Sequence, residues 1–278
     1  MERIIEQYFD FDVMFDPANF DAVMAGFWYT IKLSILAGIL SLIWGLILAV
    51  LRQTPGKWGR LVRWPTIAYI DVLRGVPALL TILLVSGSLG ALASVDPVTG
   101  DGSVLPRDIG IPDWFGQPSP FWYGIFALTL TYGAYMAEVY RAGIEAVPHG
   151  QMEAARSIGM SHGQSMRFVI VPQAIRKVIP PLLNDFIALM KDTSLVSILG
   201  VAEVVFAGRQ LQSEYVNGSG LVLGAILFLI VTIPLARFID VLIARQQKRT
   251  SRGGSGSGDP PDSSTLTGGI PPSGSAGI

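Results

Sequence analysis

Gly26 to Leu51 is an apolar run broken only by Lys32 near its start. About 20 helical residues at 1.5 Å each cross a hydrocarbon core roughly 30 Å thick. Inside lipid only a helix or a closed barrel can satisfy its own backbone polar groups. Comparable runs cover about 64–89, 121–140, 179–199 and 221–244. Five such segments confine the chain to a bundle of spanning helices, an all-α integral membrane protein. Composition agrees, with 50% hydrophobic residues, 15% charged residues and a mean hydropathy of +0.49. A soluble domain carries about 25% charged residues.

The basic residues give the orientation. Arg52, Lys57, Arg60 and Arg63 follow the first span, Arg141 to Lys177 follows the third, and Arg245, Lys248, Arg249 and Arg252 follow the fifth. The positive-inside rule puts all three stretches in the cytoplasm, so the N-terminus is outside and the C-terminus inside. Residues 1–23 are an acidic extracytoplasmic segment, amphipathic or loose, with Glu2, Glu6, Asp10, Asp12, Asp16 and Asp21 against Arg3. Residues 24–247 form the membrane domain, with a Gly- and Pro-rich outer loop at 90–120. Residues 248–278, rich in Gly, Ser and Pro, cannot bury enough surface to offset chain entropy and are expected to be a disordered cytoplasmic tail.

Several functions are disfavoured. A net charge of −1 does not suit a nucleic-acid binder. Without cysteine there is no thiolate metal site, and only two histidines, His149 and His162, are present. Neither His-Glu-x-x-His nor Gly-x-Ser-x-Gly occurs, which argues against an intramembrane hydrolase. No phosphate-binding Gly-x-x-x-x-Gly-Lys-Ser/Thr loop is present, so neither ATP nor another cofactor is expected on this chain.

The most informative polar stretch is Gln151 to Pro181, most of it in a loop at 145–178. Gln151 to Ile158 is rich in helix formers, and Gly159 stands where a helix should stop, since glycine enters the left-handed C′ conformation without steric cost. Ser161 with Gln164 is a capping-box signal for a second helix. That helix runs to about Val171, where Pro172 bends or ends it. Two short helices meeting at a glycine corner make a stiff knuckle suited to docking in a groove of another protein.

Charges inside a bilayer are costly unless they face partners or water, which makes them functional candidates. Glu138 lies near the inner end of the third span. Asp185, Lys191 and Asp192 lie in the fourth, beside Thr193 and Ser194. Asp185 and Asp192 are two turns apart on nearly one face, with Lys191 flanking it. A pathway offering both signs suits an amino acid, whereas the same charges can instead pair with one another or with a neighbouring subunit. Arg237 and Asp240 are spaced i,i+3 and are expected to pair.

The knuckle resembles the EAA loop of bacterial ATP-binding-cassette (ABC) importer permeases. In that family Glu-Ala-Ala is followed by three residues, a Gly, nine residues and Ile-x-Leu-Pro. Glu153-Ala154-Ala155, Gly159 and Val169-Ile170-Val171-Pro172 stand at those spacings, with Val for both Ile and Leu. Arg74-Gly75-Val76-Pro77-Ala78-Leu79, Ala137-Glu138-Val139-Tyr140-Arg141-Ala142-Gly143 and Lys191-Asp192-Thr193-Ser194-Leu195 are similar to motifs of the polar amino-acid subfamily, over about residues 26–245. The resemblance implies the five-helix core of the type I (MetI-like) permease fold. It implies two permease subunits, identical or homologous, around the pathway, and a cytoplasmic ABC ATPase dimer that binds ATP and Mg and grips the EAA knuckle. It also implies an extracytoplasmic amino-acid-binding protein. The alternative is an ion-coupled secondary transporter or channel for a small polar solute, with the span charges relaying protons.

Overall fold

A computed structural model describes residues 7–54, 56–93 and 119–254. Among them every regular element is helical: α1 (Phe11–Phe15), α2 (Pro17–Arg52), α3 (Gly56–Gly75), α4 (Ala78–Ala93), α5 (Ser119–Glu145), α6 (His149–Ser157), α7 (His162–Ser165), α8 (Val171–Asp192), α9 (Val204–Tyr215) and α10 (Ser219–Gly254). A π-helical turn, Met166–Ile170, joins α7 to α8, and a 3₁₀ turn, Thr193–Leu199, follows α8. Most of the outer loop expected at 90–120, and residues 255–278 of the expected tail, lie outside the described residues.

The N-terminal acids have local work. Asp10 caps α1 by accepting from the Asp12 and Val13 N–H groups, and Asp16 caps α2 through Ala18 and Asn19, with Pro17 at the first position. Carboxylates at these ends satisfy orphan N–H groups and oppose the helix dipole. The segment is also pinned: the Asp10 N–H donates to Ser219 Oγ at 3.0 Å, and the Gly218 N–H donates to the Gln7 carbonyl at 2.7 Å. It is therefore not a loose surface segment. The helix of the first span, α2, starts at Pro17, nine residues before the apolar run.

α5 is the centre of the bundle and touches α2, α3, α4 and α8. A core of Leu33, Ala37, Ile82, Phe121, Leu128, Leu189 and Val196 joins α5 to four other elements. Helices in lipid gain little from the hydrophobic effect, so close backbone approach matters. A Cβ on Gly45 would stand 2.8 Å from the Met136 Cβ, and one on Gly133 would stand 2.5 Å from Trp44 Cδ1. Trp44 Nε1 donates to Tyr69 Oη at 2.9 Å and Tyr69 donates to the Leu130 carbonyl at 3.0 Å, tying α2, α3 and α5 together. Ile35, Ile39, Ile43 and Leu46 line the outer face of α2, half exposed where lipid would lie.

The span expected at 64–89 is not one helix. It breaks between Gly75 and Ala78, and its halves, Gly59–Gly75 and Ala78–Leu89, cross at 114°. Pro77 has no N–H and pushes Val76 out of the α region, while Gly75 eases the helix end. By length and composition α2 and α10 could each cross a membrane alone, and the bent pair passes only together. α5 and α8 are long enough but too polar to qualify by hydropathy. α10 continues to Gly254, into the region expected to be disordered from 248.

Candidate functional site

The knuckle forms from local signals. α6 ends at Ser157 and Gly159 takes φ +88°. The Met160 N–H donates to the Ala155 carbonyl at 3.2 Å and the Gly159 N–H to the Arg156 carbonyl at 3.0 Å, the paired bonds of a Schellman motif. Ser161 and Gln164 form the reciprocal capping box, with Gln164 Oε1 accepting from the Ser161 N–H at 2.8 Å. Ala155 is buried, whereas Glu153 and Ala154 face outward. Ile158 and Phe168 are 79% and 63% exposed. Beneath them Val147, Ile170 and Ala174 pack with Ile144, Met152, Met166 and Val169, fixing the knuckle to the ends of α5 and α8.

Pro172 does not end the second helix. After α7 the chain widens into the π turn, where the Val171 N–H donates to the Met166 carbonyl, and then continues as α8 with Pro172 in its first turn. A proline lacks the N–H and crowds the carbonyl four residues back. The wider turn gives that ring room, so the knuckle and the fourth span form one continuous arm.

Glu138 is the hub of an ion cluster at the end of the bundle nearest the knuckle. Arg52 Nη1 and Arg141 Nη2 each lie 2.5 Å from its carboxylate, Arg74 Nη1 lies at 3.9 Å, and Arg141 also binds Glu145. The cluster ties α2, α3 and α5 together. Arg237 pairs with Asp240 at 3.6 Å.

A second polar group lies deeper. Tyr132 on α5 donates to Asp192 Oδ2 at 2.9 Å. Asp185 Oδ2 is buried without a hydrogen-bond partner, and Arg74 is the cation whose field reaches it. Arg74 also stands over the Tyr135 ring, 5.7 Å from its centroid, and its carbonyl accepts from Tyr135 Oη. Lys191 is elsewhere: with Ser194 it lines a separate cavity of about 430 Å³ against α9 and α10. Thr193 is buried and donates to the Met190 carbonyl at 2.7 Å, and Ser194 donates to that of Lys191. The structure thus joins Asp192 to Tyr132, leaves Asp185 buried with Arg74 as the cation acting on it, and sets Lys191 in a different cavity.

Glu203 was invisible to motif reading. It is fully buried, caps α9 by accepting from the Phe206 N–H at 2.8 Å, and lies 3.5 Å from Thr30 Oγ1 of α2. Its only sequence signal is an acid just before an apolar helix start. Among the described residues no cluster of His, Asp and Glu could hold a metal ion.

The sequence pattern of the family described as binding-protein-dependent transport system inner membrane component matches residues 41–251. The chain is 33% identical over 242 residues to the probable glutamine ABC transporter permease protein GlnM of Bacillus subtilis, covering 85% of this chain and 97% of that protein. It is 32% identical to the glutamate transport system permease protein GluC of Corynebacterium glutamicum, covering 81% and 93%. Among solved structures it resembles an amino acid ABC transporter crystallised with histidines, with TM-score 0.67, 30% identity, and 81% and 94% coverage. The fold is also that of the inward-facing MetNI methionine ABC transporter, with TM-score 0.59 at 19% identity, covering 80% and 96%.

Proposed function

The chain belongs to the family of inner membrane components of binding-protein-dependent transport systems, and from that membership we propose how its parts work. It is a permease subunit of an amino-acid ABC importer and is not itself the ATPase. ATP and Mg are held by a separate cytoplasmic ATPase dimer, a second permease subunit completes the pathway, and an external binding protein delivers the amino acid. The N-terminus is outside and the C-terminus inside.

Glu153, Ala154, Ala155, Gly159 and Pro172 belong to the coupling arm. The observation that carries this is the knuckle itself, rigidly mounted below and presenting Ile158 and Phe168 to solvent above. A docked element moves the spans only if the motor grips one packed state better than the other. The continuous path from knuckle through π turn to α8 supplies a stiff lever ending at Asp185 and Asp192. Those two carboxylates, with Tyr132, suit the α-ammonium of a passing amino acid. Glu138 serves chiefly to hold three helices together at the inner end.

Reconstitution with an ABC ATPase subunit in proteoliposomes tests this. We expect ATP-driven, vanadate-sensitive uptake of an amino acid from its binding protein, and a disulfide between Ile158→Cys and a cysteine placed in the ATPase cleft. Uptake driven by an ion gradient without any ATPase would overturn it.

A further inference from the structure

The start of α9 is seated on α2 with almost no room between them. A Cβ on Gly26 would stand 3.0 Å from the Ala207 Cβ and from the Glu203 carbonyl oxygen. Val204 and Leu211 of α9 pack with Met14 of α1, Val23 of α2 and Leu223 of α10. Two left-handed residues bound the segment, Gly200 with φ +79° before it and Val216 with φ +54° after it. Element ends of this kind absorb changes of direction, which lets α9 move off α2 as one body.

Glu203 lies inside that seam, fully buried, and its surroundings suit a neutral carboxyl. Oε1 accepts from the Phe206 N–H at 2.8 Å, and Oε2 lies 3.5 Å from Thr30 Oγ1. A threonine hydroxyl has one hydrogen and two lone pairs. The Gly26 carbonyl, at 3.2 Å, is the nearer acceptor for that hydrogen, and the Val204 N–H donates to Oγ1 at 3.3 Å. One lone pair of Oγ1 is then left for a proton on Oε2, and with that proton in place every group is served. Without it Oε2 is a buried anion whose nearest donor is already spent. A charge-assisted O–H···O⁻ bond is about 2.5–2.7 Å long, far shorter than the contact seen.

The charges around it do not make up the loss. Exposed Arg209, on α9 itself, is the cation whose field reaches Glu203. Lys191 of α8 lines the neighbouring cavity beside Val204. From α1, α2 and α10 come Met14, Val23, Thr30 and Leu223, none of them charged. Burial pushes the carboxyl up to about 7, against the pull of its hydrogen bonds and of Arg209.

We propose that Glu203 is a proton-operated latch, which holds α9 on α2 while its carboxyl is protonated and releases it when the proton leaves to water. Ionisation inside the seam strands a charge, and lifting the start of α9 relieves it by admitting solvent. The latch therefore favours the seated helix in acid and the lifted one in base. On the orientation proposed above, the exchanging proton is that of the outside solution. In the chain, the 3₁₀ turn Thr193–Leu199 links Asp192 to this segment, so the latch adjoins the Asp192–Tyr132 pair.

The test is hydrogen–deuterium exchange with mass spectrometry on the whole importer in nanodiscs, each amide rate corrected for its intrinsic dependence on pH. The opening constant of α9 should rise about tenfold between pH 6 and pH 8, the ratio given by carboxyl values near 7 seated and 4.5 lifted. α5, in the centre of the bundle, should show no such slope. Glu203→Gln keeps an acceptor for Phe206 and a donor for Thr30, and should hold α9 seated at every pH. Thr30→Val removes the proton's acceptor and should speed exchange at pH 6, whereas Thr30→Ser should restore the parent profile. The infrared spectrum of the parent should carry a protonated-carboxyl band that titrates near 7 and is absent from Glu203→Gln. A flat corrected profile in the parent, or the same slope in Glu203→Gln, would overturn the latch. Amino-acid uptake by the same complex reads the importer claim separately. Transport with a flat profile refutes only the latch, and a sloping profile without transport refutes only the importer reading.

Discussion

Gly159 holds φ +88°, and no atom lies within 4 Å of where its Cβ would be. A side chain there meets no clash, only the backbone cost of a left-handed residue, about 1–2 kcal/mol. Gly159→Val should therefore reach the membrane at normal levels yet lose ATP-driven uptake, because the corner opens. Gly159→Asn should keep a substantial part of the uptake, since Asn tolerates the αL region. Equal uptake by the Val variant and the parent at matched membrane levels would contradict the lever. Glu203, in the connection between α8 and α10, makes a second prediction. Burial pushes its carboxyl up to about 7, against the opposing pull of its hydrogen bonds and of Arg209. The folded chain thus holds a proton that the unfolded chain releases near 4.5. The contribution of this one group to stability is fully present below that value and is lost as pH rises through 7, on the order of 3 kcal/mol in all. Thermal melts of the detergent-solubilised protein should show this slope, and Glu203→Gln should flatten it. Gly159, Ser161 and Gln164 were legible in the sequence because their partners lie within four residues. Glu203 and Tyr132 were not, because burial by Thr30 or pairing with Asp192 depends on distant chain.

The π turn is the element whose role the sequence hid. Pro172 announced a disturbance, but a proline can be absorbed by ending a helix, kinking it or widening one turn. The choice depended on the packing of Ile170 and Ala174 against α5. Pro172→Ala removes the need for the wide turn and lets the arm tighten, rotating the knuckle relative to α8. Stability should hold or rise slightly, whereas uptake per ATP hydrolysed should fall, as measured by paired transport and phosphate-release assays. An unchanged ratio would mean the turn is passive. The break at Gly75–Pro77 escaped for a different reason. Hydropathy sums along the chain and carries no direction, so a corner inside an apolar run leaves it unchanged. The acidic N-terminus left an amphipathic and a loose segment both open for a similar reason, since capping carboxylates and loose surface carboxylates read alike in composition.

At the scale of the whole molecule the type I permease fold was legible, because apolar runs, basic loops and the knuckle are all one-dimensional patterns. The mutual placement of the span charges was not. Asp185, Lys191 and Asp192 share a helix, yet Lys191 faces another cavity. Topology can be checked cleanly because the chain has no cysteine. With Ser161→Cys on the knuckle and Ser213→Cys on α9, a membrane-impermeant maleimide added to intact cells should modify only the second. Modification of the first before lysis would invert the orientation.

α2 packs chiefly against α5, although α3, α4 and residues 94–118 separate them in the chain. At about 5–20 residues per second the ribosome needs on the order of ten seconds to deliver α5 after α2 has emerged. For that interval the Gly45 face and the Arg52 guanidinium lack their α5 partners. Slowing translation within 94–118 should prolong the vulnerable period and raise degradation of nascent chains before any transport defect can be seen.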